Sequence, residues 1–124
     1  MSLLILKAYC KLIHFDCYLV RRDFPGLYHE VRAFPISQKT PPPDAIEHIC
    51  SAVDTACIWY WKKALCLQRS AATACLLKRH GVPAQLVIGA RQIPFKAHAW
   101  IEVDGRVVND KLYTPEMYAV LDRC

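Results

Sequence analysis

The hydrophobic pattern of this chain changes at residues 79–83, Arg-His-Gly-Val-Pro. Before this point apolar residues recur every three to four positions, as on one face of a helix. After it, short runs of β-branched and other apolar residues are bounded by turn residues, as in strands. Gly81 suits a left-handed helix cap, and Pro83 prevents the helix from continuing. Helices followed by strands predict an α+β domain.

The first predicted helix spans residues 2–22 and carries an apolar stripe with helical spacing. Its members are Leu6, Tyr9, Cys10, Ile13, Cys17 and Val20. A stripe of this kind usually packs on the core, and a docking face for a partner protein is the alternative. Residues 23–43 contain Pro25-Gly26 and three consecutive prolines, and they predict an extended connector.

Two further helices are predicted in the next part of the chain. Asp44 followed by Glu47 predicts a capping box at a helix start, and a second periodic segment runs from Cys66 to Gly81. No Gly, Pro, Ser or Asn separates these helices. A thiol at a helix start therefore requires a break in the chain just before Cys66.

The C-terminal part of the chain predicts strands at residues 84–92, 96–103 and 106–110. The last two form a hairpin that turns at Asp104-Gly105. Thr114 then begins a short helix, with Pro115 at its tolerated first position.

Composition limits the classes of function. The formal charge is +5, and the chain contains no run of five basic residues that would indicate a nucleic-acid site. An acidic peptide or protein partner fits this charge. The apolar N-terminal run of four residues, 3–6, is too short for a membrane span or a signal peptide. Seven cysteines without a CxxC pair predict a reduced, cytoplasmic protein.

The order of Cys66, His98 and Asp110 is the one that a papain-like or transglutaminase-like thiol enzyme needs. A thiol attacks an amide as the thiolate, which a helix N-terminus and a neighbouring imidazolium both stabilise. Each residue alone also has a structural interpretation, as a core cysteine, a structural histidine or a turn carboxylate. The combination favours catalysis.

The loop of the hairpin decides whether His98 meets Asp110. A two-residue loop at Asp104-Gly105 would place the two side chains on opposite faces, whereas a three-residue loop, Val103–Gly105, would place them directly opposite each other. The second register also pairs Glu102 with Arg106 and Trp100 with Val108. We expect the three-residue loop because these pairs favour it.

A zinc site formed by Cys66, Cys75 and His98 is a weaker alternative, because paired-ligand spacing is absent. The sequence contains no Gly-rich phosphate loop either. We therefore expect neither a metal nor another cofactor.

The segment from about residue 60 to residue 112 resembles the transglutaminase-like cysteine proteases of lasso-peptide biosynthesis, in their stand-alone form. The matching residues are Cys66-Leu67, Arg69-Ser70, Gly81, Gly89, Phe95, His98-Ala99-Trp100, Gly105 and Asn109-Asp110. The resemblance implies a single domain over residues 1–124. Residues 1–43 would form the N-terminal helix and connector, and residues 44–124 would form a catalytic core with a C-terminal antiparallel sheet.

The resemblance also implies a function. Such proteases remove the leader from a ribosomally made precursor peptide and expose the core peptide to an ATP-dependent macrolactam synthetase. In the split arrangement a separate leader-binding protein delivers the precursor, and we expect this arrangement because 124 residues leave no room for a second domain. Carried over, Cys66 is the nucleophile, His98 the general base and acid, Asp110 the orienting residue, and Trp100 a wall of the substrate site. The alternatives are an acyl transferase and a non-catalytic binding module of the same fold.

Overall fold

The computed structural model of this chain describes residues 3–92, 95–110 and 114–124, with the backbone alone at 115 and 116. Its elements in chain order are α1 (Leu3–Val20), α2 (Phe24–Ala33), α3 (Ala45–Trp59), α4 (Cys66–Arg79), β1 (Ala84–Gln92), β2 (Phe95–Val103), β3 (Arg106–Val107), α5 (Thr114–Met117) and β4 (Ala119–Arg123). The strands form one antiparallel sheet in the order β3-β2-β1-β4. The predicted α+β class is confirmed, and β4 is an addition that the sequence pattern did not predict.

The junction at Gly81 has the predicted left-handed conformation, with a φ of 90°. The surroundings of Gly81 also exclude a side chain, because a Cβ there would lie 2.1 Å from the carbonyl oxygen of Lys39. The connector thus packs against the end of α4. The chain turns here from the helical layer into β1.

Helix α4 lies in the centre of the molecule, and all of residues 70–78 are buried. Its small residues Ala71, Ala72 and Ala74 allow α1, α3 and the sheet to approach it closely. The face of the sheet that meets the helices contributes Leu86, Ile101 and other apolar side chains to this core. The opposite face carries a smaller cluster, formed by Val87, Trp100, Val107 and Tyr118.

The predicted extended connector over residues 23–43 is wrong for its first half, which forms α2. Asp23 caps this helix by accepting a hydrogen bond from the Gly26 backbone N–H at 3.0 Å. Pro25 lies in the first helical turn, where the missing N–H costs nothing. Leu27 and Val31 then bury one face. The Pro-Gly pair that indicated a break is therefore part of a helix start.

The predicted core stripe of α1 is also wrong. The fully buried residues of this helix are Ala8, Leu12 and Phe15, whereas Leu6, Cys10, Ile13, Cys17 and Val20 are exposed. Both sides of α1 are apolar, so periodicity alone did not show which one the rest of the chain covers. Among the described residues, no helix has both the length and the hydropathy that a membrane span requires.

The predicted break before Cys66 is confirmed. Helix α3 begins at Ala45 as predicted, but the Asp44 side chain makes no cap hydrogen bond, so the predicted capping box is wrong. The helix ends at Trp59, and residues 60–65 separate it from α4. The break is held by tertiary contacts, since the segment contains no breaker residue. The Tyr60 hydroxyl donates to buried Asp16 at 2.7 Å, and the Lys62 ammonium lies 2.9 Å from the same carboxylate. These bonds fix the chain in the conformation that starts a new helix at Cys66.

Gly89 is required for the packing under His98. A Cβ at this position of β1 would lie 2.6 Å from Cη2 of Trp100 and 2.9 Å from Cβ of Tyr118. We expect Gly89→Ala to lower the free energy of unfolding by about 1–3 kcal/mol through overpacking, measured by urea denaturation.

Gly105→Ala is the matched control for this prediction. Gly105 has a φ of 76°, but an added Cβ would meet nothing within 4 Å. Its cost is the backbone strain alone, about 1 kcal/mol. A Gly89→Ala variant as stable as the natural chain would contradict the packing assigned to Trp100 and Tyr118.

Candidate active site

Cys66 is the first residue of α4 and is half-buried. Leu65 before it is extended, with φ and ψ of −80° and 156°, so the helix begins sharply at the thiol. The backbone N–H groups of the first turn have no carbonyl partner in a preceding turn. They and the helix dipole present positive potential at this position, which favours an anion.

Gln68 anchors the start of α4. Its carboxamide oxygen accepts a hydrogen bond from the Leu65 backbone N–H at 3.3 Å, and its nitrogen donates to the Leu12 carbonyl of α1 at 2.7 Å. The side chain is almost fully buried. Both ends of its carboxamide are thus engaged in holding α4 against α1.

Two further cysteines have a packing role. Burial raises the pKa of the Cys75 thiol to about 11, and burial with nearby Asp54 raises the pKa of Cys50 to about 11. At neutral pH both thiols are therefore protonated. The Cys50 thiol lies 3.7 Å from the Val108 carbonyl, to which it donates.

His98 lies on β2 with its Nε2 atom 2.5 Å from Oδ2 of Asp110. The ring packs against Trp100 and Tyr118, with centroid distances of 6.0 and 5.4 Å and interplanar angles of 30° and 26°. The His98 and Asp110 side chains are 18% and 19% exposed. The predicted contact between them is confirmed. Because Asp110 engages Nε2, Nδ1 is the ring nitrogen left for exchanging a proton with another group.

The register predicted for the hairpin is wrong. Val103 pairs with Arg106 and Glu102 with Val107, which leaves a two-residue loop. Asp104 and Gly105 have φ values of 53° and 76°. A two-residue turn with positive φ at both central residues matches the twist of the flanking strands. Backbone twist outweighed the side-chain pairs on which the prediction depended.

Asp110 reaches His98 because the chain leaves the sheet before that residue. The Val108 N–H still donates to the Ile101 carbonyl at 3.0 Å. The Ile101 N–H, however, donates to the side-chain oxygen of Asn109 at 2.8 Å. The Asn109 side chain thus replaces the next strand acceptor, and the chain bends over residues 108–110. Strand alternation no longer applies to Asp110, so the two-residue loop does not separate it from His98.

Asn109 and Ser70 position the site, and sequence reasoning did not assign them this role. The Asn109 Nδ2 atom donates to Ser70 Oγ at 3.2 Å, and Ser70 Oγ donates to the Ala99 carbonyl at the same distance. The two residues thus connect α4, β2 and the bend that carries Asp110. An asparagine directly before the candidate carboxylate at a strand end was the available signal.

The role predicted for Trp100 at the surface of the site is not supported, because its side chain is fully buried. Its indole N–H donates to Glu102 at 2.9 Å, and the Arg123 Nε atom lies 3.4 Å from the other oxygen of Glu102. Glu102 therefore does not form the predicted pair with Arg106. Trp100 supports the His98 ring from the core.

Cys66 and His98 both line a cavity of about 260 Å³. It is lined by Phe24, Tyr28, Cys66, Leu67, Ile88, Ala97, His98 and Ala99. Helix α2, which the sequence did not predict, supplies its first two residues. Burial raises the pKa of Tyr28, so this phenol is a neutral hydroxyl. The cavity is otherwise mostly apolar and suits an uncharged side chain of a substrate.

The chemistry available here is that of a thiol, an imidazole and a carboxylate. A thiolate can attack a carbonyl carbon, an imidazole can transfer the protons, and a carboxylate can hold the imidazole in one tautomer. Over residues 3–92, 95–110 and 114–124, no three His, Cys, Asp or Glu side chains cluster as metal ligands do. Cys75, considered above for zinc, is fully buried within α4.

Comparison with known proteins identifies the family of this chain. The family model described as the transglutaminase-like superfamily matches residues 12–123. A stretch of 48 residues is 46% identical to the microcin J25-processing protein McjB of Escherichia coli, covering 39% of this chain and 23% of that protein. No solved structure shows significant similarity. The resemblance noted in the sequence is thereby confirmed. Since the family model spans nearly the whole chain, from α1 to β4, the protein belongs to the transglutaminase-like superfamily.

Proposed function

We propose that this protein is a cysteine peptidase that removes the leader from a lasso precursor peptide. The observation that carries the proposal is the His98–Asp110 hydrogen bond beside a cavity that His98 shares with Cys66. The similarity to a protein named for processing microcin J25 supports the choice of substrate. That match spans 23% of the relative, and the experiment described below tests the substrate class.

In the proposed mechanism Cys66 is the nucleophile. Nδ1 of His98 accepts the thiol proton, and the thiolate attacks the scissile carbonyl carbon. The backbone N–H of Cys66 donates to the oxyanion that forms. The imidazolium then protonates the leaving amine, and the C–N bond breaks to give a thioester on Cys66. Water deprotonated by His98 hydrolyses the thioester, releasing a carboxylate and restoring the thiol.

Asp110 holds His98 in the tautomer that this sequence of steps needs. While its carboxylate accepts from Nε2–H, the basic lone pair of the neutral ring is on Nδ1. The carboxylate also stabilises the imidazolium that forms after proton transfer. It does not itself exchange a proton with the substrate.

The proposed substrate contact is the cavity beside Cys66. Phe24, Leu67 and Ile88 line it, so the side chain next to the scissile bond is expected to be uncharged. A separate leader-binding protein is the proposed carrier of the precursor. The ATP-dependent macrolactam synthetase would take the amine that cleavage exposes.

The direct test is incubation of a lasso precursor with this chain and a leader-binding protein in heavy-oxygen water, followed by mass spectrometry. We expect free core peptide and a leader fragment that carries one heavy oxygen atom in its new carboxylate. A leader joined to an added amine would show acyl transfer instead. An intact precursor at every ratio of the proteins would contradict the peptidase proposal.

A further inference from the structure

Helix α1 presents an exposed apolar row that the described fold leaves uncovered. Its residues are Leu3, Leu6, Cys10, Ile13, Cys17 and Val20, which we call the α1 seam. Leu3, Leu6, Ile13 and Val20 are 66%, 51%, 45% and 71% exposed, and both cysteines are exposed. The spacing alternates three and four residues along the helix. This is the a and d repeat of a coiled-coil helix, in which the apolar row faces a second helix.

The seam lies away from the core. Ala8, Leu12 and Phe15 are fully buried against the rest of the protein, and in the heptad that the seam defines they occupy the c and f positions, opposite a and d. The helix has 18 residues, or about 27 Å of length. The exposed row is therefore long enough to pack against more than two heptads of a partner helix.

One flank of the seam is positively charged. Lys7 occupies an e position beside it. A shallow groove of about 350 Å³ on this flank is lined by Leu6, Lys7, Cys10, Lys11, His14 and Arg79. No acidic side chain belongs to that lining. His14 is bonded to Glu30 at 2.6 Å, which leaves the two lysines and Arg79 as the cations of the groove.

The other flank is aromatic. A second groove, of about 370 Å³, is lined by Ile13, Cys17 and Val20 of the seam, by Tyr60 and Trp61, and by Asp16 and Arg21. Asp16 is 8% exposed, and its carboxylate already binds the Tyr60 hydroxyl and the Lys62 ammonium. Trp61, 72% exposed, extends the apolar surface beyond α1.

Charge opposes a second copy of this chain as the occupant. In an antiparallel pair of α1 helices, e positions face e positions, so the cationic flank of one copy would face the cationic flank of the other. In a parallel pair this flank would face the side of the other copy that carries Asp16, whose carboxylate is already bound by Lys62. Acidic residues on a different protein would instead complement this flank.

We propose that the α1 seam docks an amphipathic helix of a separate protein, with apolar a and d residues flanked by Asp and Glu. The a and d side chains bury against Leu6, Ile13 and Val20, and the acidic residues pair with Lys7, Lys11 and Arg79. The net charge of +5 adds long-range attraction for such a partner. The inference goes beyond the proposed peptidase activity, because the seam contributes no residue to the cavity at Cys66.

The test uses two synthetic three-heptad helices with the same apolar a and d residues. One carries Glu at every e and g position, and the other carries Lys. Like charges keep each peptide from pairing with itself. Titration calorimetry on the Cys66→Ala chain measures docking without catalysis. We expect the Glu peptide to bind at least about tenfold more tightly than the Lys peptide, with an affinity that falls as salt rises.

Variants of the chain give the matched controls. The pair Leu6→Asp and Ile13→Asp should abolish binding without changing the unfolding midpoint, because both side chains are about half exposed. The pair Lys7→Glu and Lys11→Glu should reverse the preference between the peptides. The bound Glu peptide should also protect Cys10 and Cys17 from alkylation, whereas Cys124, which directly follows β4, should react as before.

Three results would overturn the proposal. These are equal binding of both peptides, binding that survives Leu6→Asp with Ile13→Asp, and a dimer in sedimentation that Ile13→Asp dissociates. The last would make a second copy the occupant. Precursor cleavage by the natural chain is measured at the same time, so that a failure of the docking proposal can be distinguished from a failure of the peptidase proposal.

Discussion

Cys66→Ala is expected to reduce precursor cleavage by about 10³-fold or more, since the nucleophile of the proposed mechanism is lost. The substitution removes one sulfur atom at a half-buried helix start and leaves the backbone N–H groups in place. Stability should therefore change by less than about 1 kcal/mol. Mass-spectrometric rates of core peptide release, with urea unfolding of the same variant, measure the two effects separately.

Cys57→Ala is the control for a general effect of removing a thiol. Cys57 is half-buried on α3, and burial raises its pKa. Cys57 does not line the cavity at Cys66, so the Cys57→Ala variant should cleave precursor at the rate of the natural chain. If Cys66→Ala processed precursor at the natural rate, the protein would be a binding module with this fold, and the peptidase proposal would be wrong.

Asp110→Ala is expected to give the second largest loss, about 10²- to 10⁴-fold in kcat, and Asp110→Asn a loss in the same range. Alanine removes the acceptor for Nε2–H of His98 altogether. Asparagine loses the charge that stabilises the imidazolium, and its NH2 group can donate to Nε2 and so favour the wrong tautomer. Single-turnover cleavage rates of the three forms at saturating precursor measure these losses.

Asp104→Asn is the matched control for the loss of a carboxylate from the same hairpin. Asp104 is exposed at the turn with a φ of 53°, a conformation that asparagine also adopts. Cleavage and unfolding should both be unchanged. Equal rates for Asp110→Ala and the natural chain would show that another group orients His98.

Helices α1 and α2 show two features that the hydrophobic pattern of the sequence did not predict. In α1, apolar residues occupy two sides of the helix, and the period is the same for the side that meets α4 as for the side that meets solvent. In α2, a proline and a glycine indicated an extended segment although they lie at a helix start. The helix is stabilised by the Asp23 cap and by the burial of Leu27 and Val31 against neighbouring elements.

The hairpin gives a second example. Pairing of side chains across β2 and β3 suggested one loop length, and the twist of the backbone selected another. The contact between His98 and Asp110 nevertheless forms, for a different reason from the one predicted. Asn109 ends the strand pairing early, and a side chain that replaces a main-chain acceptor leaves no periodic signal.

Sequence pattern alone predicted the features that depend on neighbouring residues along the chain. These include the change from helices to strands at Gly81, its left-handed cap, the extent of β1 and the chemical identities of Cys66, His98 and Asp110. Long-range contacts determine which face of α1 is covered, that α2 forms a wall of the cavity, and how the chain bends to bring Asp110 to His98. Local propensities act over a few residues. Burial and competition for hydrogen-bond partners are settled only when distant segments meet.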